Sequence, residues 1–293
     1  MTRRGFFRGL LGGTLAGLLL GAYAGWVEPA LRLRVQRWRV VTPAWTLPPL
    51  RIVMVADLHA AAPQMTPARI ARIVARANAL QGDLIVLMGD YRASHRFQTA
   101  IVPVEAVAPL LARLSARLGV HAVLGNHDWW DDAAAQDSGK GPIHTQGVLE
   151  AAGIPVLVNR AVRMGGFWLA GLDSQMAIRR LRFAPEARRD DLPGTLAQVT
   201  DEAPVILLAH EPDVFPEVPA RVAVTLSGHT HGGQIRFGPW TPVVPSRFGA
   251  RFAYGHLRED GRDLVVSGGL GCSGLPLRFG RPPEITVVDL SGV

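Results

Sequence analysis

Cysteine is almost absent from this chain. Cys272 stands alone, so no internal disulfide can form and a thiolate-rich zinc site is excluded. Lysine is as scarce, since Lys140 is the only one. The other basic residues are arginines scattered along the chain, so the net charge of +7 does not mark nucleic acid as a partner, which needs a clustered basic patch. Internal repeats are missing too. What is plentiful is apolar: 48% of the 293 residues are hydrophobic, enough for one sizeable core in one catalytic domain.

The first 25 residues stand apart. Arg3, Arg4 and Arg8 precede the uncharged stretch Leu10 to Gly25, and Thr2 to Arg8 resembles a twin-arginine export signal. Ala22-Tyr23-Ala24 offers small residues for a signal peptidase. The stretch is shorter than the ~20 residues of a full bilayer span, yet Gly13, Gly17, Gly21 and Gly25 recur every fourth residue, as on a packed transmembrane helix face. The expectation is export to the periplasm or cell envelope, with a retained membrane anchor as the second reading. Arg32, Arg34, Arg37 and Arg39 add positive charge beyond the stretch, so an enzyme on the cytoplasmic face of the inner membrane stays open. These arginines alternate with Leu31, Leu33, Val35 and Trp38 as a strand with one basic face, met by solvent or by lipid headgroups. Thr42 to Pro49 reads as a proline-rich linker. The expected division is therefore 1–25 signal or anchor, 26–50 basic strand and linker, and 51–293 catalytic domain.

From there strand and helix alternate. Ile52 to Ala56, Leu84 to Met88 and His121 to Leu124 are short buried strands, separated by a helix opened by Thr66-Pro67 and another over Val104 to Leu118. That order predicts parallel strands at the centre. A short helix closes at Ala152, and then come strands at Val156 to Val158, Phe167 to Leu172, Val205 to Ala209, Val222 to Leu226, Leu264 to Ser267 and Ile285 to Leu290, with one helix near Leu192 to Val199. These suit a second, mixed sheet packed on the first. Long irregular pieces remain at 129–142, 179–191 and 238–255, and loops of that length tend to be functional.

Five of these strands end in polar clusters. They are Asp57-Leu58-His59, Gly89-Asp90, Gly125-Asn126-His127-Asp128, His210-Glu211-Pro212-Asp213 and Ser227-Gly228-His229-Thr230-His231. Ligands in such sheets gather beyond the carboxyl ends of strands, and the period of two would set Asp57 with His59, and His229 with His231, on shared sides. The donors are Asp57, His59, Asp90, Asn126, His210, His229 and His231. Seven suit two divalent ions sharing a carboxylate, and oxygen with imidazole and no thiolate points to Mn, Fe or Zn. Two such ions can hold a bridging hydroxide as nucleophile and neutralise phosphoryl oxygens during in-line displacement, the equipment of a phosphoester hydrolase.

In order and spacing these five clusters resemble calcineurin-like metallophosphoesterases, over about Arg51 to Leu290. Gly89-Asp90-Tyr91, Gly232-Gly233-Gln234 and the ending Gly274-Leu275-Pro276-Leu277-Arg278-Phe279-Gly280 look like the exported or membrane-associated bacterial branch similar to YkuE and YaeI. The resemblance implies an α/β fold, a four-layer αββα sandwich with a dinuclear site at its edge. It implies Asp57, His59 and His231 on one ion, Asn126, His210 and His229 on the other, and Asp90 bridging. His127 would sit beside the ions as general acid toward the leaving oxygen, and Asp128 would orient its ring. Arg92 and Ala93 stand where many relatives carry another acidic residue, a departure on the substrate side. Trp129 and Trp130 would wall the pocket or pack as a plug. Arg179, Arg180, Arg182, Arg188 and Arg189 would form an anion-meeting lid or a solvated loop. His95, His121, His144 and His256 have no motif around them and read as ordinary, and Cys272 as inert. The implied partners are a phosphorylated small-molecule or lipid substrate and a membrane surface, without nucleic acid. The substrate would be an envelope or lipid-linked phosphoester or pyrophosphate. The alternatives are a cytoplasm-facing enzyme like a UDP-2,3-diacylglucosamine pyrophosphatase, or a metal-binding scaffold without turnover.

Overall fold

Strands and helices follow the expected alternation through most of the chain. In the computed structural model, which describes residues 2–93 and 97–293, the first half lays down β1 (Arg34–Val41), β2 (Leu50–Val55), β3 (Ala61–Ala62), β4 (Leu84–Leu87), β5 (Ala100–Ile101) and β6 (Val120–Ala122). The second half adds β7 (Arg160–Met164), β8 (Phe167–Gly171), β9 (Val205–Leu208), β10 (Val222–Ser227), β11 (Gly255–Glu259), β12 (Arg262–Val266) and β13 (Glu284–Ser291). Helices are α1 (Arg3–Ala22), α2 (Pro67–Asn78), α3 (Val104–Leu111), α4 (Asn126–Trp130), α5 (Ala133–Ser138), α6 (His144–Ala151) and α7 (Leu192–Leu196). His95, read from the sequence as ordinary, lies outside the described residues.

Two mixed sheets face each other. The first has the order β1-β13-β2-β4-β6, with β2, β4 and β6 parallel and β13 antiparallel to β2. The second has the order β11-β12-β10-β9-β8-β7, parallel at its centre with antiparallel strands at both edges. Ile52, Met54, Leu84 and Val86 of the first sheet meet Leu169, Ile206, Val224 and Val265 of the second in one core. Val53 and Val55 point the other way, under α2, α3 and α6. With both faces covered, β2 and β4 carry no polar alternation, which is why they read as continuous apolar runs. The outer face of the second sheet is covered thinly, by α7 and the short turn of helix Pro212–Glu217, over Leu192, Val199, Val214 and Val218. The architecture is the four-layer αββα sandwich.

Several boundaries differ from the sequence reading for local reasons. Thr66 caps α2 by accepting from the Arg69 amide, as expected. The helix expected to reach Leu118 stops at Leu111, because the Asn78 side chain binds the Arg113 carbonyl and the Ser115 amide and turns that segment away. Val156 makes only an isolated bridge to Ala122. β7 and β11, edge strands with exposed arginines, lacked the apolar run that marks buried strands.

The largest correction is at the front of the chain. β1 was set outside the catalytic unit, but it pairs with β13 over eight residues, Arg34 to Val41 against Glu284 to Ser291. Its basic face is partly consumed there, since Arg34 binds Glu284 at 2.9 Å and Arg37 lies 4.0 Å from Asp289. α1 runs on through a wider helical turn, Tyr23–Leu31, before β1 begins. This turn is fastened to the domain: Gln64 donates to the Gly25 carbonyl, the Arg278 amide to the Ala24 carbonyl, and the buried Glu28 carboxylate accepts from the amides of Gly280 and Arg281 at 3.1 and 2.6 Å. Phe7–Leu31 is long and apolar enough to cross a membrane and is not buried against the rest of the protein.

Candidate metal centre

The five strand-end clusters converge at one edge of the sandwich. The route is not the expected extended backbone. Asp57, His59, Asp90, His229 and His231 all have positive φ, between 42° and 70°, a region costly for residues with a Cβ. The shared side of Asp57 with His59, and of His229 with His231, therefore comes from left-handed turns and not from the period of a strand. Gly89 is needed for a different reason: at φ 89° it lies against the Gly125 backbone, where a Cβ would collide. Hydrogen bonds from the Asp57 amide to the Gly89 carbonyl and from the His59 amide to the Asp90 carbonyl, 3.2 and 2.9 Å, stitch the two loops together.

All seven predicted donors meet, each at most 6% exposed. Asp57, His59 and His231 offer ligand atoms within 4.8 Å of one another, and so do Asp90, His210 and His229. Asn126 Oδ1 lies 2.8 Å from His229 Nδ1. Asp90 Oδ2 is 3.3 Å from both His59 Nε2 and His210 Nε2, between the two groups.

Hydrogen bonds on the far side of two rings decide which nitrogen faces inward. His210 Nδ1 lies 2.5 Å from the Met88 carbonyl and His229 Nε2 lies 2.8 Å from the Pro245 carbonyl. A carbonyl only accepts, so those nitrogens carry the protons, and in the neutral rings His210 Nε2 and His229 Nδ1 point bare into the site. Behind His231, the fully buried Arg278 places Nη2 3.0 Å from Nδ1, while its other donors bind the carbonyls of Gly268, Gly271 and Arg281.

The residues fit cations. Buried Asp57 Oδ2 and His210 Nε2 make no hydrogen bond, and His59 and His231 bring their Nε2 atoms to 3.0 Å. Acceptors crowded together without donors are unfavourable unless positive charge lies among them. Protonation tells the same story. Burial pushes the Asp57 carboxyl up to about 6. Burial also opposes charge on His210, yet Asp90, Glu211 and Asp57 together raise it well above the ordinary range, so without ions the carboxylates draw a proton into the place of a cation. Burial holds His229 and His127 down to about 3.

His127 stands at the rim. Its amide donates to Asp90 Oδ1 at 2.9 Å, its ring meets His59 edge-on at 4.8 Å, and its Nε2 is 3.2 Å from Ser273 Oγ. Asp128 does not orient this ring, contrary to the sequence expectation. Its carboxylate accepts from the amides of Asp90, Tyr91 and Gly125 at 2.8, 3.1 and 2.8 Å, and so pins the loop carrying Asp90. Burial pushes it up to about 7.

The remaining candidates divide. Trp129 is a plug, 2% exposed, with Nε1 donating to Asp173. Trp130 packs 4.7 Å from the His127 ring, and Arg179 and Arg182 stand 5.4 and 5.3 Å from the Trp130 ring. Arg188 is taken up by Asp190 and Glu217, and Arg189 by backbone carbonyls, so neither is part of a lid. His144 and His256 pair with Glu105 and Asp263 away from the site, and Cys272 is buried with its thiol pushed up by burial. Sequence reasoning missed Arg278, Ser273 and Glu211. The first two lie in or beside the glycine-bounded ending 274–280, noted as a family mark but given no chemistry. Glu211 follows His210 directly and binds Ser174 Oγ and the Gln175 amide.

Comparison with known proteins agrees with this site. The family model described as calcineurin-like phosphoesterase matches residues 50–233. The uncharacterized metallophosphoesterase YkuE of Bacillus subtilis (strain 168) is 30% identical over 99% of this chain and 98% of its own. An uncharacterized metallophosphoesterase of Aquifex aeolicus (strain VF5) is 30% identical over 94% and 97%. A transmembrane protein with metallophosphoesterase domain from Danio rerio is 30% identical over 82% of this chain and 53% of that longer one.

Proposed function

The chain belongs to the calcineurin-like phosphoesterase family, and from that premise we propose that it hydrolyses a phosphoester or pyrophosphate bond in a lipid-linked or envelope substrate while attached to a membrane. The observation that carries the hydrolytic reading is Asp90, whose Oδ2 stands 3.3 Å from a histidine of each ligand group, as a bridging carboxylate must. Asp57, His59 and His231 would hold one divalent ion, Asn126, His210 and His229 the other. When bound, the pair supplies charge neutralisation at the phosphoryl oxygens and an activated water. His127 meets the leaving oxygen, protonating it or donating a hydrogen bond, with Ser273 setting the ring's direction. Arg179 and Arg182, either side of Trp130, supply positive charge for anionic parts of the substrate beyond the scissile bond.

Membrane attachment draws on the apolar helix and on the hydrogen bonds that fasten Ala24, Gly25 and Glu28 to the domain. Cleavage after Ala24 would separate these partners, so we assign α1 as a retained anchor over a removed signal. The chemistry is tested by metal analysis of the purified full chain together with hydrolysis of bis-p-nitrophenyl phosphate. Two ions per chain and loss of turnover with chelator are expected; a metal-free, folded protein would make it a scaffold. The substrate class is tested separately, because soluble bis-p-nitrophenyl phosphate cleaved far better than any lipid pyrophosphate would remove the lipid reading alone.

A further inference from the structure

The long irregular piece after His231 has no part in the chemistry above. Within it, Phe237 to Ser246 reads Phe-Gly-Pro-Trp-Thr-Pro-Val-Val-Pro-Ser, ten residues without a charge. Solvent reaches its large side chains: Phe237 is 47%, Trp240 62% and Val243 71% exposed, and Leu275 beside the metal centre is 48% exposed. A patch of this kind on a folded surface marks contact with something apolar.

Its position identifies the contact. Tyr23, the first residue after α1, meets Phe279 edge-on at 6.1 Å; Phe279 lies 5.1 Å from Phe237, and Phe237 stacks on Trp240 at 6.0 Å. An aromatic row thus runs from the end of the membrane-length helix to the tip of the loop, and tyrosine and tryptophan favour the level where headgroups meet acyl chains. The backbone is prepared for a dry setting as well. Phe237 and Trp240 exchange amide-to-carbonyl hydrogen bonds of 2.9 and 3.1 Å, and Pro239, Pro242 and Pro245 have no amide proton to desolvate. Behind Val243 and Leu275 lies an apolar groove of about 300 Å³, lined also by Ile235 and Pro242, with His231 and Ser273 at its inner end.

We propose that the loop Phe237–Ser246, with Leu275, is a membrane-docking surface that seats in the headgroup–acyl boundary of the bilayer entered by α1. The groove mouth beside His231 and Ser273 then opens at the membrane, where a lipid-borne phosphoester reaches the site without entering water. This rests on the anchored reading given above and needs no assumption about turnover.

The test uses the full chain in a Cys272→Ala background, reconstituted in vesicles of equal parts phosphatidylcholine and phosphatidylglycerol. An environment-sensitive fluorophore is attached at Val243→Cys or, in a second protein, at Leu275→Cys. A control label goes at Glu202→Cys, just before β9 at the strand end away from the metal centre. Spin-labelled lipids should quench the labels at 243 and 275 several-fold more than the label at 202. Adding Phe237→Ser and Trp240→Ser should more than halve that difference, while turnover of soluble bis-p-nitrophenyl phosphate stays within about twofold, as for surface substitutions generally. Equal quenching at all three positions overturns the proposal. So does protection at 243 that grows with protein concentration and ignores the lipid, which would make the occupant a second copy of the chain. Quenching is read without turnover: a docked but inactive protein removes the proposed hydrolysis alone, and an active protein with an unquenched loop removes the docking alone.

Discussion

The metal centre and the loop Phe237–Ser246 that overhangs it are neighbours built on opposite principles. The centre is buried, charged and over-determined: every ligand is 6% exposed or less, and five are forced into left-handed backbone. The loop is exposed, uncharged and lightly held, its main tie to the centre being the Pro245 carbonyl that accepts from His229. Strain of this kind persists only where surrounding bonds outnumber the alternatives, so the centre must spend packing on geometry while the loop is left free to meet a partner. The same contrast separates two candidate membrane contacts. The basic stretch Arg32 to Arg39 looked suited to headgroups, yet Arg34 and Arg37 face Glu284 and Asp289, whereas the chargeless loop keeps its side chains outside.

If the two regions are independent, changes in one should leave the other intact. Asp90→Asn strikes hardest: the purified protein should lose metal, and hydrolysis of bis-p-nitrophenyl phosphate should fall by about 10³-fold or more, with vesicle docking unchanged. His127→Ala should keep both ions, checked by elemental analysis, and lose about 10²–10⁴-fold in turnover. Loss of metal along with activity would make His127 a ligand instead. Asp128→Asn separates its two readings. Having lost one acceptor for the amides around Asp90, it should weaken metal affinity by about 10–100-fold, measured by competition with a chelator. An orienter of His127 would leave affinity alone and lower turnover only. The smallest effect is expected at the seam, where Glu28→Gln loses the charge in its bonds to Gly280 and Arg281. Thermal unfolding should show about 1 kcal/mol of lost stability, with metal content and soluble turnover unaltered. Metal loss in that variant would show that the anchor and the centre are coupled.

Most of the site was legible because its donors are local in sequence. A carboxylate, an imidazole or an amide at the end of an apolar strand announces itself by residue type and by the strand before it, as Gly89-Asp90 after Leu84 to Met88 does. Arg278 was not legible in this way. Its side chain finds His231 some 47 positions away and three carbonyls, and no local pattern encodes such a meeting. Asp128 failed for a related reason: adjacency to His127 in the chain suggested contact, but α4 turns the two side chains apart.

What the sequence alone determined is therefore the ligand set, its order along the chain and the two-sheet scaffold, because apolar periodicity and donor type are properties of short segments. Tertiary structure alone decided the left-handed turns that aim Asp57, His59, Asp90, His229 and His231, the inward nitrogens of His210 and His229, and the joining of β1 and Glu28 to the C-terminal segment. Each of these depends on partners tens to hundreds of residues away, brought together by long-range register and not by any local preference.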